Sequence, residues 1–268
     1  MNQFIIIRLI DKISRCSFTY PIIFKKRVVT NKMSITCELG GGLGNQLFMI
    51  CNMIRCSFEQ GKPFWFKYST NTITYWDTFL SYLKPYVKDQ DYEKNTIVIT
   101  QDHIDYVSYF EHIMLQGYFQ THIFFETYYK QIYDLINIDE KKKEVQTKLK
   151  GFDVRMYTSL DYHPILSYDY YKKAIQTIGS TKIVYFYKDK EYVEQMMMRL
   201  KEDKVECISS KQFELDDWEE MIFMSLCQHH IISNSTFSWW GAYLGTNDKM
   251  VVYPEAWVGQ FPDSWIKM

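Results

Sequence analysis

The sequence predicts an α/β protein built from two doubly wound domains with parallel sheets that face a cleft. From Met33 onward, short β-rich runs alternate with helical stretches. Repeated strand–helix alternation is typical of parallel sheets that are covered on both faces. A charged run at 139–150 divides the pattern near its middle. We therefore expect a leader at 1–32, a first domain at 33–145 and a second domain at 146–268.

The predicted strands are short runs rich in β-branched, aliphatic and aromatic residues. They lie at Ile35–Leu39, Phe64–Lys67, Thr96–Thr100, Ile113–Gln116, Lys182–Tyr187, Val205–Ile208, His230–Ser233 and Met250–Tyr253. Helices are predicted at Asn45–Glu59, Ile123–Ile136, Tyr168–Ile178, Lys190–Leu200, Leu215–Cys227 and Phe237–Leu244. The charged run is interpreted as a solvated helix or linker, since alternating charges favour an exposed face over a binding role.

The leader contains only a short apolar run at 4–10, which Arg8 interrupts. A membrane span needs about 20 apolar residues, so this segment is not a convincing one. It is interpreted as a weak amphipathic helix, a targeting segment or a disordered leader, and its role stays open. Peripheral membrane association stays open as well.

The composition excludes some classes of partner. Lys and Arg total 31 against 32 for Asp and Glu, and this balance argues against nucleic acid as a partner, because such binding needs a concentrated basic face. A local basic pocket remains compatible with this overall charge balance. Aromatic residues make up 18%, which indicates either core packing or sugar and base stacking.

The cysteines lie at 16, 37, 51, 56, 207 and 227, with no CxxC pair and no zinc-ligand spacing. This pattern favours free thiols in a reducing compartment, so we expect a cytoplasmic protein. We expect no metal and no cofactor.

A glycine-rich segment, GGGLGNQLF at 40–48, directly follows the first predicted strand. Glycines at a strand-to-helix turn let a ligand approach the backbone closely. The helix beginning near Asn45 would direct free N–H groups and the positive end of its dipole at an anion. The segment fits neither GxGxxG nor a P-loop, so a purely structural turn stays an equal alternative.

A second segment, SNSTFSWWGAYL at 233–244, follows another apolar run. Asn234, Ser235 and Thr236 are favoured N-cap types. They predict either a capped buried helix or a phosphate or ribose site made of hydroxyls and helix-terminal N–H groups. The same triplet matches an N-glycosylation signal, which we discount because a strand–helix junction before FSWW is expected to be buried.

Together these segments resemble glycosyltransferase family 11, the α-1,2-fucosyltransferases. The resemblance runs in the family's order and covers most of 34–258. It is carried by GGGLGNQLF at 40–48, LQGYFQTHIFF at 115–125, HPILSYDYYKKAI at 163–175, CQHHIISNSTFSWWGAYLG at 227–245 and YPEAW at 253–257.

The resemblance implies a GT-B fold with two Rossmann-like domains, the first on the acceptor side and the second binding the nucleotide sugar. It also implies GDP-β-L-fucose as donor substrate, a galactose-like glycan acceptor, α-1,2 linkage, inversion at the anomeric carbon and no metal requirement. Asn45 and Arg155 are then the expected catalytic residues. The expected donor-binding residues are Gly42, Gly44, Asn45, Gln46, Arg155, Asn234, Ser235, Thr236, Phe237 and Ser238.

The sequence departs from the family's H-x-R-x-G-D motif. The corresponding stretch reads FDVRMYTSLDYHP at 152–164, where Arg155 aligns with the arginine and the Gly-Asp pair is missing. A guanidinium suits a leaving diphosphate, because it offers paired N–H donors. Asp153, Asp161 and His163 are candidate bases, and none is assigned. A degenerate protein that binds a nucleotide sugar or glycan without turnover, and a transferase with a changed donor, are the alternatives.

Overall fold

The computed structural model describes residues 33–70, 72–188, 190–246, 248–257 and 259–268. The expected leader at 1–32 and Cys16 lie outside these residues. The described cysteines, at 37, 51, 56, 207 and 227, are free thiols. No helix in the described ranges is long and apolar enough to cross a membrane.

The first sheet is parallel throughout and is formed by residues 34–116. Its strands are β1 Ser34–Cys37, β2 Phe64–Lys67, β3 Val87–Lys88, β4 Ile97–Thr100 and β5 His112–Gln116, in the order β3-β2-β1-β5-β4. The central strand β1 is buried over Ile35, Thr36 and Cys37, as expected for a strand covered on both faces.

The second sheet is also parallel throughout and is formed by residues 158–267. Its strands are β6 Thr158–Asp161, β7 Lys182–Phe186, β8 Glu206–Ser209, β9 His229–Ile231, β10 Val251–Tyr253 and β11 Ile266–Lys267, in the order β11-β10-β9-β6-β7-β8. The two parallel sheets confirm the predicted α/β fold class.

The helices follow the strands along the chain. They are α1 Leu43–Gln60, α2 Tyr129–Ile136, α3 Ile138–Lys148, α4 Tyr168–Ile178, α5 Lys190–Glu202, α6 Asp217–Leu226 and α7 Thr236–Tyr243. Helix α1 is capped at its carboxyl end by Gly61, whose φ of 60° is a left-handed conformation that glycine adopts without strain.

The hydrophobic core runs from one sheet to the other without a break. It joins Ile35 of the first sheet, Phe48 of α1, Trp240 of α7, Phe223 of α6 and Val184 of the second sheet. Phe48 lies with its ring centroid 4.6 Å from that of Trp239 and 5.0 Å from that of Trp240. Packing between α1 and α7 therefore ties the two sheets together.

Several expectations about elements differ from the structure. The two-residue strands β3 and β11 were not predicted. Strand β6 was not predicted, because its four residues TSLD carry too little apolar pattern. The expected helix Ile123–Ile136 begins only at Tyr129, after two short 3₁₀ turns. The charged run at 139–150 lies largely in α3, which agrees with the predicted solvated helix, although Val145 is buried. The expected domain boundary at 145/146 thus falls inside a helix, and the division into domains stays a prediction.

Candidate functional site

A cavity of about 540 Å³ lies where the carboxyl ends of both sheets meet. Every residue that lines it lies at or after the carboxyl end of a strand, the position at which open parallel sheets hold ligands. The lining residues are Asn45, Gln120, Asp161, Tyr162, His163, Pro164, Lys188, Asn234, Ser235, Thr236 and Trp257.

The amino-terminal ends of α1 and α7 touch each other at this cavity. Gly44 has no side chain, and a Cβ there would lie 2.5 Å from the backbone carbon of Thr236 and 2.7 Å from the backbone nitrogen of Phe237. Only a glycine permits so close an approach of one helix end to another backbone. The preceding turn is closed by Gly41, whose φ is 71°.

Asn45 links the two helix ends through its side chain. Its Oδ1 accepts a hydrogen bond of 2.9 Å from Thr236 Oγ1 and another of 2.9 Å from Gln120 Nε2. Ser235 is the N-cap of α7, and its hydroxyl accepts from the backbone N–H of Phe237 at 3.3 Å. Two positive dipole ends thus meet at one cavity, an arrangement suited to an anionic ligand.

A carboxyl group lines the same cavity. Asp161, the last residue of β6, accepts hydrogen bonds from the hydroxyls of Ser233 and Ser238. Burial raises the pKa of Asp161, while these hydroxyls and the nearby Lys188 charge act against that rise. The cavity therefore combines a desolvated carboxyl group with Lys188 as a cation.

The structure brings many of the expected site residues to the cavity. Asn45, Asn234, Ser235, Thr236, Asp161 and His163 line it. Gly42 is the N-cap of α1, and Gly44, Phe237 and Ser238 belong to the first turns of the two helices. These placements leave their roles toward a ligand as predictions.

Gln46 does not line the cavity. It is fully buried, and its Nε2 donates hydrogen bonds of 3.0 Å to the carbonyl of Gly41 and 2.7 Å to that of Ile73. The expectation that Gln46 contacts a donor is corrected, because its amide group holds the glycine turn in place and does not line the cavity.

Arg155 and Asp153 are also corrected. They lie in and beside the 3₁₀ turn Val154–Met156, which precedes β6. The cavity lies beyond Asp161, at the other end of that strand, and neither residue lines it. Arg155 instead pairs with Asp153 at 3.5 Å, with both side chains largely exposed. Arg155 is therefore at the wrong edge of the sheet to hold a diphosphate in this cavity.

Lys188, Gln120 and Trp257 are cavity residues that were not singled out in the sequence. Lys188 follows β7 by two residues, so its place after a predicted strand was the available signal. Gln120 and Trp257 fall inside the matched segments LQGYFQTHIFF and YPEAW. No group of three or more His, Cys, Asp or Glu residues in the described ranges is arranged to hold a metal ion.

Residues 154–262 match the family model described as Glycosyl transferase family 11. The O-antigen biosynthesis glycosyltransferase WbnK of Escherichia coli is 36% identical over 118 residues, which are 40% of this chain and 38% of that protein. An alpha-1,2-colitosyltransferase of Escherichia coli is 27% identical over 167 residues, which are 52% of this chain and 56% of that protein. The matches thus span about half or less of these curated relatives.

Among solved structures, a mutant of Arabidopsis thaliana FUT1 in complex with GDP aligns with a TM-score of 0.50. The alignment covers 82% of this chain and 70% of that one at 9% identity. At this identity the alignment supports a similar fold and nothing further. The family match over residues 154–262 and the two relatives confirm the resemblance to glycosyltransferase family 11.

Proposed function

We propose that this chain is a glycosyltransferase whose donor is a nucleotide diphospho-sugar, because residues 154–262 match the family model described as Glycosyl transferase family 11. The finer proposal is that it transfers L-fucose from GDP-fucose to a galactose-like acceptor in α-1,2 linkage, with inversion. The observation that carries it is the contact of the α1 and α7 amino-terminal ends at one cavity, bridged by Asn45 and Thr236.

In this proposal the diphosphate of the donor binds at the amino-terminal ends of α1 and α7. Backbone N–H groups there lack partners within the helix, and both dipoles favour negative charge. Ser235 and Thr236 add hydroxyl donors, and Lys188 adds the positive charge that the sequence had led us to expect from Arg155. A cation in this position stabilises the charge that develops on the departing diphosphate.

The reaction then proceeds by displacement at the anomeric carbon. The acceptor hydroxyl oxygen forms the new bond, the bond to the diphosphate oxygen breaks, and its electron pair leaves with GDP. We assign the hydroxyl proton to His163, which lines the cavity. Its Nδ1 accepts from the Ile165 N–H at 3.4 Å, so Nδ1 carries the lone pair and Nε2 carries the proton of the neutral ring. Nδ1 is therefore the nitrogen that takes up the hydroxyl proton, with loss of this long contact to Ile165. Asp161 is already engaged by two serine hydroxyls.

Support for this donor and linkage comes from the names of similar proteins. One relative is called an alpha-1,2-colitosyltransferase, and the FUT1 mutant was solved with GDP. The first name refers to a sugar other than fucose, so donors with other sugars should also be tested. A degenerate protein that binds GDP without turnover is the second candidate, since none of the arginines in the described residues lines the cavity.

The test is release of GDP from GDP-fucose in the presence of a panel of galactosides, with EDTA present. Turnover with α-1,2-linked product supports the proposal. GDP binding without turnover favours the binding protein, and turnover only with GDP-mannose or UDP-galactose favours a changed donor. Absence of GDP binding contradicts both the transferase and the binder.

A further inference from the structure

An aromatic side chain and an amide lie together in the wall of the cavity. Trp257 and Gln120 line it, and both also line a neighbouring space of about 20 Å³. We propose that these two residues bind the sugar ring that the donor carries, with Trp257 packed against an apolar face of the ring and Gln120 hydrogen-bonded to a hydroxyl. This inference rests on the proposed function and names the residues that recognise the transferred sugar.

The indole of Trp257 is held in place although it is only half-buried. Its ring centroid lies 5.1 Å from that of Phe261, with an angle of 80° between the rings. Phe261 in turn stacks on Tyr253 of β10, with 4.0 Å between the centroids. Trp239 and Trp240 are fully buried by contrast. Trp257 therefore combines a position fixed against β10 with a surface that a ligand can reach.

The turn that carries Gln120 is strained. Phe119 has a φ of 51°, a left-handed conformation that is uncommon for a residue with a side chain. Its ring is buried, whereas the next residue, Gln120, is exposed. The Thr121 N–H donates to the Phe119 carbonyl at 2.7 Å, and Thr121 Oγ1 donates to Gln260 Oε1 at 2.9 Å. The turn thus directs Gln120 away from the core and ties it to the loop that contains Trp257.

Gln120 lies next to the position assigned to the diphosphate. Gln120 Nε2 and Thr236 Oγ1 both donate to Asn45 Oδ1, each at 2.9 Å, so these two donor atoms lie no more than twice that distance apart. Thr236 is the first residue of α7, at the helix end where the diphosphate binds in the proposal. A group beside Gln120 is therefore one that is bonded directly to the diphosphate.

Two groups of the donor meet this condition, the transferred sugar and the ribose of the nucleoside. The ribose continues into a base and needs room for further rings, whereas the space next to Gln120 and Trp257 holds only about 20 Å³. Lys188 follows β7 and Trp257 follows β10, and the order β10-β9-β6-β7 separates these strands by roughly 14 Å. The observations therefore favour a single sugar ring at Trp257 and the nucleoside toward Lys188.

The two side chains suit a neutral ring with hydroxyl groups. In fucose, which has the galacto configuration, the axial hydroxyl projects from one face of the ring and leaves an apolar patch of C–H groups on the other. These C–H groups are attracted to the negative face of an indole, and covering them adds hydrophobic stabilisation. Gln120 Nε2 is engaged by Asn45, so its Oε1 is the atom that accepts from a sugar hydroxyl.

The experiment is calorimetric titration of the full chain with GDP and with a slowly reacting fluorinated analogue of GDP-fucose. The unaltered chain should bind the analogue more tightly than GDP, because the sugar ring adds contacts. Trp257→Ala should weaken binding of the analogue about tenfold and leave the GDP affinity unchanged. Trp257→Phe keeps an aromatic face and should retain most of the gain. Tyr109→Ala removes an exposed ring just before β5, at the other edge of the first sheet, and is the control that should change neither affinity.

Two alternative occupants of this subsite would overturn the proposal. Equal loss of affinity for GDP and for the analogue in Trp257→Ala would assign the base to the indole. An unchanged affinity for the analogue, with a raised KM for the galactoside, would assign the acceptor to it. If circular dichroism shows Trp257→Ala unfolded, Gln120→Ala decides, since this side chain is exposed. It should weaken binding of the analogue about threefold or more without affecting GDP, and no change would overturn the proposal.

Failure of this inference is distinguishable from failure of the proposed function. Turnover of GDP-fucose that is insensitive to Trp257→Ala would overturn the inference alone. A gain in affinity that depends on Trp257, without turnover onto any galactoside, would overturn the transferase and support the subsite. The same gain with GDP-mannose in place of the fucose analogue would overturn only the choice of sugar. Absence of binding by GDP, GDP-mannose and the analogue would overturn both proposals.

Discussion

Gly44→Ala is the substitution that most severely tests the contact between the two helix ends. The new Cβ would lie 2.5 to 2.7 Å from backbone atoms of Thr236 and Phe237. Ordinary contacts between carbon atoms are about 3.5–4.0 Å, so α1 and α7 must separate by about 1 Å. Backbone atoms cannot turn aside as a flexible side chain can.

Two opposing effects set the expected magnitude. Replacing glycine by alanine inside a helix ordinarily stabilises by about 0.5–1 kcal/mol. Overpacking a tight site costs about 1–3 kcal/mol. The clash is expected to dominate, so the free energy of unfolding should fall by about 1–2 kcal/mol. GDP affinity should fall about tenfold or more, because the hydrogen bond between Asn45 and Thr236 is stretched.

The assay combines urea unfolding with calorimetric titration of GDP. Gly40→Ala is the matched control, because its Cβ would meet nothing within 4 Å. The control is expected to change stability by less than about 0.5 kcal/mol and to leave GDP affinity unchanged. If Gly44→Ala behaves like Gly40→Ala in both measurements, the close approach of the helix ends is refuted.

Three further predictions concern charged groups. Lys188→Ala should weaken GDP binding about tenfold or more, because a charge-assisted contact is lost. Arg155→Ala should leave the GDP affinity unchanged. Calorimetry that shows the reverse pattern would assign the diphosphate contact to Arg155. Burial raises the pKa of Asp161, so the folded state keeps this proton to higher pH than the unfolded chain, and the unfolding free energy should fall as pH rises from about 4 through the raised pKa. Asp161→Asn should reduce this pH-dependent fall of the unfolding free energy in urea titrations. A pH dependence equal to that of the unaltered chain would contradict the raised pKa of Asp161. Burial lowers the pKa of Lys249 to about 7, so the folded chain loses this proton at lower pH than the unfolded chain. The free energy of unfolding should therefore rise between about pH 7 and pH 10, by at most about 1.4 kcal/mol per pH unit. Lys249→Met should lose this rise, and a slope equal to that of the unaltered chain would count against the shift.

The strands that were predicted correctly are those with a dense apolar pattern. Phe64–Lys67 was predicted at its observed bounds, because FWFK has few alternatives to a buried strand. β6 was missed, although it lies between β9 and β7 in the second sheet. Its TSLD sequence owes its burial to neighbouring strands, which a local pattern does not contain.

Missing β6 caused the misplacement of Arg155. Without that strand, the segment at 152–164 had no direction relative to a sheet, and a motif alignment alone assigned its arginine to the ligand. Once β6 is present, Arg155 precedes the strand and Asp161 ends it. Within this segment, Asp161 and the residues that follow it reach the cavity, whereas Arg155 does not.

The helix ends at the site were accessible to sequence analysis, because glycines and N-cap residues have local conformational preferences. The resemblance to the family then assigned Asn45 and Ser235 to one donor site. Lys188 was not singled out, since one lysine after a strand carries no pattern of its own. Gln46 was misjudged because its residue type does not reveal whether its amide contacts a ligand or the backbone of Gly41.

The central claim is that the amino-terminal ends of α1 and α7 jointly hold a nucleoside diphosphate. A crystal structure of the chain with GDP bound tests it most directly. The account predicts both phosphates within hydrogen-bond distance of the α7 amino terminus at Ser235 and Thr236, with Lys188 beside them. GDP bound next to Arg155, or anywhere outside the cavity between the two sheets, would contradict it.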